Sequence, residues 1–117
     1  MLKLVVIRSR DIERLAQFYS VLGLAFTKHS HGKGPEHLSA VVGETAFEIY
    51  PARGSGDCTI PTRLGFSVKS LPEVIRQLRE MNVEVLEKPA ETEYGIRAVV
   101  KDFEGHKVEL YGETGDR

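Results

Sequence analysis

A chain of 117 residues, 41% hydrophobic and 28% charged, is long enough for one domain with two packed layers and a core that needs no staple. Sixteen Lys and Arg against seventeen Asp and Glu leave a formal net charge of −1 with no basic run, which excludes the electrostatic footprint of a nucleic-acid or anionic-membrane binder and points to a small-molecule partner. The single cysteine, Cys58, excludes an internal disulfide, and no apolar run reaches the length of a signal peptide or a membrane span, so the expected location is cytoplasmic.

In chain order, the strand-like "LKLVVI" leads into "DIERLAQFYSVLGL", where Ile12, Leu15, Phe18, Tyr19 and Leu22 keep helical spacing and Gly23 suits the residue after a helix end. Three strand-like segments follow: "AFTKH", "HLSAVV" and "TAFEIY". A Gly, Pro and Ser-bearing linker, residues 53–61, then separates a second unit. That unit opens with "RLGFSV" and continues into a helix whose stripe is Leu71, Val74, Ile75, Leu78 and Met81, with Asn82 in the place of Gly23. Ser70 and Glu73 have the spacing of a capping box, with Pro72 in the first turn. "VEVLE", "IRAVV" and "HKVELY" complete the unit. The expectation is a βαβββ module twice, residues 1–52 and 62–112, within a single α+β domain that ends in a short tail, 113–117.

Two glutamates interrupt apolar strands, Glu48 between Phe47 and Ile49 and Glu109 between Val108 and Leu110. An unpartnered carboxylate in a dry interior is costly, so these side chains need either water or a partner. If Gly43 and Glu44 form the centre of a two-residue hairpin turn, Ser39 faces Glu48 and His37 faces Tyr50. Leu38, Ala40, Val42, Phe47 and Ile49 then share an apolar face. His37, Ser39, Val41, Ala46, Glu48 and Tyr50 share the other, a mixed surface suited to a ligand site.

The pieces "DIERLAQFYSVLGL", "FEIY" and "VKDFEGHKVEL", laid in order over the repeat, resemble the vicinal oxygen chelate superfamily of glyoxalases, bleomycin-resistance proteins and extradiol dioxygenases. The resemblance implies a cup-shaped sheet built from the two modules, helices on its outer face, and commonly a homodimer. In metal-dependent members it also implies a divalent ion held by a His and a Glu from each module. Glu48 and Glu109 match the Glu positions. Leu4 and Arg63 stand where the histidines are expected, and neither can ligate.

Three readings follow. In the first, the protein binds a small acidic organic molecule without a metal, through His37, Glu48, Tyr50, Arg63 and Glu109, with Arg63 bridging the carboxylates or holding a ligand anion. In the second, a divalent metal sits on Glu48, Glu109 and His37 as substitute ligands, for a glyoxalase-related lyase or isomerase or a dioxygenase, with Glu109 or His37 as the proton-moving group. In the third, the chain is a non-catalytic structural or regulatory dimer module. The sequence does not choose between enzyme and binding protein, and it names no substrate. His29 and His31 read as solvent-exposed, His106 as a structural residue of the last turn, Arg8 as a strand-end cation, and Tyr94 as a loop residue.

Overall fold

The computed structural model describes residues 1–113; of the expected tail, 114–117 lie outside the described residues. The chain divides into two compact units, Met1–Thr59 and Ile60–Arg117. Each carries a strand, an α-helix and three more strands in that order, and the first adds a short 3-10 turn at Ser55–Asp57.

In the first unit, β1 (Leu4–Ser9) leads to α1 (Ile12–Val21), followed by β2 (Thr27–His29), β3 (His37–Val42) and β4 (Thr45–Pro51). The sheet order is β1-β4-β3-β2, with β1 parallel to β4 and the other pairs antiparallel. Asp11 starts the helix by accepting the Arg14 N–H at 3.1 Å, which satisfies one of the donors that a helix start leaves open. After α1 the chain turns at Gly23, whose φ of 109° is available only to glycine at little cost. Leu15, Ala16, Phe18 and Tyr19 are buried. They share the core with Ile7, Leu38, Ala40, Phe47 and Ile49, and Tyr19 packs its ring 5.0 Å from that of Phe47.

The hairpin register is the expected one: Val42 opposes Thr45, and Ser39 opposes Glu48. Phe47 and Ile49 are therefore buried while Glu48 between them turns to the opposite face.

In the second unit the elements are β5 (Arg63–Ser67), α2 (Leu71–Glu80), β6 (Glu84–Thr92), β7 (Gly95–Lys101) and β8 (Lys107–Tyr111). The order β5-β8-β7-β6 repeats that of the first sheet, again with the first pair parallel. Helix α2 buries Leu71, Val74, Ile75 and Leu78, and the strands bury Ala98, Val100, Val108 and Leu110. Asn82 ends the helix at φ 62°, the one described non-glycine residue in the left-handed region, and so performs the role of Gly23.

The helix start differs from expectation. Ser70 makes no side-chain cap hydrogen bond. Glu73 instead accepts Arg76 Nε at 2.9 Å and Nη2 at 2.6 Å, and Gln77 Nε2 at 2.9 Å. Charge-assisted bonds to a guanidinium one turn along outcompete a bond back to the Ser70 N–H.

The β7–β8 turn is held by Asp102. Its Oδ1 accepts the backbone N–H groups of Glu104, Gly105 and His106 at 2.8–2.9 Å, and its Oδ2 meets His106 Nδ1 at 2.8 Å, with both side chains fully buried. His106 thus belongs to the turn. Strand β6 runs further than its apolar part, through Pro89 to Thr92, with register shifts on either side of Glu87; a proline is tolerated there because β6 is an edge strand.

Candidate functional site

Alternation along the strands of the second sheet places Arg63, Gly65 and Ser67 of β5, Lys107, Glu109 and Tyr111 of β8, and Arg97, Val99 and Lys101 of β7 on one face. Glu109 is its centre. Its Oε2 accepts Arg63 Nε at 2.5 Å, and its Oε1 accepts Arg97 Nε at 3.0 Å and the Tyr111 hydroxyl at 2.5 Å. These donors hold the Glu109 carboxyl down at about 2, the Tyr111 hydroxyl foremost and the guanidiniums after it. The same bond pushes the Tyr111 phenol up, because losing its proton would set two anions side by side. Gly65 lies opposite Glu109, and a Cβ there would meet the Tyr111 ring at 3.5 Å, so the ring lies against the glycine backbone.

The corresponding face of the first sheet carries Glu48 with different neighbours. Val6 and Ser39 flank Glu48 in the register, where Gly65 and Val99 flank Glu109. Leu4 occupies the place of Arg63, and among the described residues Glu48 makes no side-chain hydrogen bond or ion pair. One step along, four planar groups from four strands form a row. His29 opposes His37, and Arg8 opposes Tyr50. The His37 ring stacks on Tyr50 at 4.1 Å with 9° between planes, His29 lies 6.0 Å from His37, and the Arg8 guanidinium sits 5.2 Å from the Tyr50 centroid. His31 adds a further ring 5.4 Å from His37. His37 is 2% exposed, closed in by these rings, and its Nδ1 lies 3.2 Å from the Pro35 carbonyl oxygen.

The expected site residues therefore fall into two groups. Arg63 and Glu109 are joined directly, while Glu48, His37 and Tyr50 share a face without His37 or Tyr50 bonding Glu48. His29 and His31 are exposed as expected, yet their rings pack beside His37. Tyr94, 77% exposed in the β6–β7 turn, touches neither group. Sequence reasoning missed Arg97 and Tyr111 as partners of Glu109. The signal was present: the "KDFEG" turn fixes the second hairpin just as Gly43 and Glu44 fix the first, and it sets Val99 opposite Glu109 and Arg97 opposite Tyr111.

The donors suit a divalent metal poorly. Both oxygens of Glu109 are engaged by cationic or phenolic donors, and two guanidiniums beside them repel a dication. Among the described residues no group of three His, Cys, Asp or Glu side chains is arranged to hold a metal ion.

Two four-stranded mixed sheets, each with one helix and an acid at the matched strand position, define an α+β fold of the glyoxalase type. Residues 2–110 match the family model of the Glyoxalase/Bleomycin resistance protein/Dioxygenase superfamily, and the chain belongs to that superfamily. A comparison with curated proteins finds no match. Among solved structures, the chain is similar to the antibiotic binding protein TnmS3 from Streptomyces sp. CB03234, at 19% identity and a TM-score of 0.76, covering 97% of this chain and 96% of that one. It is also similar to the oxidase ChaP-H2, at 18% identity and a TM-score of 0.76, with 98% of each chain covered. A glyoxalase/bleomycin resistance protein/dioxygenase family enzyme from Burkholderia phytofirmans PsJN shares 19% identity at a TM-score of 0.71, covering 94% and 96%. At such identities these likenesses speak for the fold.

Proposed function

We propose that this protein binds a small acidic organic molecule on the polar faces of its sheets, without a metal, in the manner of a binding protein. The observation that carries the reading is the state of Glu109. A carboxylate held at about 2 by Arg63, Arg97 and Tyr111 is a poor proton acceptor at neutral pH and a poor metal ligand, whereas the guanidiniums around it attract anions. Glu48, His37 and Tyr50 supply polar and aromatic contacts on the first sheet's face. The antibiotic binding protein TnmS3 is the analogy of fold for sequestration, as the oxidase ChaP-H2 is for catalysis, so the choice rests on Glu109. We place the protein in the cytoplasm, as a homodimer, on the single cysteine and the family pattern.

The test combines metal analysis of protein purified without chelator with ligand-observed NMR against a panel of small carboxylic acids and their neutral amides. The expected result is substoichiometric metal and binding of at least one acid, weakened roughly tenfold by Arg63→Ala, the loss of about one charge-assisted hydrogen-bonded contact. Stoichiometric metal that Glu48→Gln or Glu109→Gln removes would overturn the reading in favour of a metal-dependent lyase, isomerase or dioxygenase. Failure of every acid to bind would leave the structural module.

A further inference from the structure

On helix α2 the Arg76 guanidinium grips the Glu73 carboxylate with two parallel bonds, Nε to Oε2 at 2.9 Å and Nη2 to Oε1 at 2.6 Å. The pairs at Glu109 are made differently. Arg63 gives it only Nε, at 2.5 Å, and Arg97 also gives it only Nε, at 3.0 Å. Among the described residues the Nη atoms of Arg63 make no hydrogen bond, and neither do those of Arg97, whose Nη2 lies 3.8 Å from Glu87 Oε2. Among the described residues, one carboxylate thus tethers two guanidiniums by their inner nitrogens and leaves their outer nitrogens without a hydrogen bond.

The surrounding face adds charge instead of cancelling it. Arg63, Lys107 and Lys101 stand abreast on three adjacent strands, an arrangement that like-charge repulsion disfavours. Lys101 has Glu84 at 3.7 Å; Lys107 has no carboxylate partner among the described residues. Among the described residues, the ion pairs of Arg63, Arg97 and Lys101 on this face use three carboxylates, Glu84, Glu87 and Glu109, and Lys107 adds a fourth cation beside them.

We infer that the outer guanidinium nitrogens of Arg63 and Arg97 form a receptor for a single carboxylate group, and that Glu109 is its internal counter-ion, a positioning residue that orients both arginines and lowers their affinity for the ligand. This rests on the reading that the protein binds a small acid, and it makes a prediction that reading alone does not. A glutamate that contacted the ligand or a metal would be missed when neutralised. A counter-ion that competes with the ligand anion would not be. Removing one negative charge several ångströms from the bound carboxylate, at a partly exposed site, strengthens anion binding by roughly 3- to 10-fold.

The experiment titrates the full-length protein with benzoate, inorganic phosphate and benzyl alcohol, following backbone amide and arginine Nε–H signals by NMR. Benzoate is expected to move the Arg63 and Arg97 Nε–H signals while benzyl alcohol does not. Glu109→Gln should bind benzoate roughly 3- to 10-fold tighter than the unmodified chain. Arg63→Lys, which keeps the charge but lacks the fork, should bind it roughly fivefold more weakly and serves as the second variant if Glu109→Gln does not fold. Benzoate affinity that is unchanged or weaker in Glu109→Gln would overturn the counter-ion role, and Arg63→Lys binding as well as the unmodified chain would overturn the guanidinium receptor. Phosphate binding tighter than benzoate would overturn the carboxylate assignment. If acids bind and Arg63→Ala weakens them while Glu109→Gln weakens them too, only this inference falls. If no acid binds any form, the proposed function falls with it.

Discussion

Glu109 remains ionised well below the pH at which an ordinary glutamate takes up its proton, because protonation would break bonds to Tyr111 and Arg63 together. In the unfolded chain the same carboxyl titrates near its ordinary 4.5. The stability that follows from this lowering is fully present above about pH 4.5 and is lost as the pH falls toward about 2. Glu73 is likewise held at about 2, by Arg76 and Gln77, so acid unfolding of the unmodified protein mixes the two sites. Comparison with Glu109→Gln separates them. At pH 7 the variant should be less stable by about 1 kcal/mol, the shift being discounted for the solvent that reaches Arg63, and the gap should shrink between pH 4.5 and 2. Urea unfolding at several pH values checks this. A gap that stays constant down to pH 2 would show that packing of the side chain, and not its charge, is what the substitution removes.

The helices begin in two different ways, although the sequence offers each a capping residue. Asp11 accepts the Arg14 N–H, whereas Ser70 caps nothing with its side chain. Asp11→Ala should therefore cost about 1 kcal/mol, while Ser70→Ala should fall within about 0.3 kcal/mol of the unmodified chain, both measured by urea unfolding. Equal losses would mean that the Ser70 hydroxyl caps α2 in solution. Much at this scale is legible in the sequence. Apolar spacing alone marks Leu15, Phe18 and Tyr19 in one helix and Leu71, Val74, Ile75 and Leu78 in the other as buried, since a 3.6-residue period leaves few alternatives. The capping box is not legible in the same way. Ser70 and Glu73 satisfy its pattern, but the outcome depends on competition among donors at Arg76, Gln77 and the backbone, and a spacing rule does not weigh such competition.

Across the whole molecule, a duplicated plan carries two glutamates at matched positions that ended in opposite circumstances. The match itself can be read from the repeat and from strand alternation, which set Glu48 opposite Ser39 once Gly43 and Glu44 make the turn. The divergence can be read only in part. Leu4 in place of Arg63 is visible, but the absence of bonds to Glu48 depends on where the neighbouring rings go. His37 stands at the register position that Arg97 fills in the other sheet, and it packs against Tyr50 instead of reaching the acid. Tyr50 likewise stands in the place of Tyr111, yet it lies between His37 and Arg8 and gives Glu48 no hydrogen bond. Stacking among planar side chains is worth about 1 kcal/mol per pair, enough to hold His37 and Tyr50 in this row. Neutralising Glu48 therefore removes no internal partner. Glu48→Gln should change stability at pH 7 by less than about 0.5 kcal/mol, as a surface substitution does, whereas Glu109→Gln costs more. Thermal and urea unfolding of both variants side by side measure the difference. Equal destabilisation would mean that Glu48 has a partner in solution and that the two sheets kept the same electrostatic design. The expected inequality would show that one copy of the repeated acid became part of the scaffold while the other stayed open to solvent or ligand.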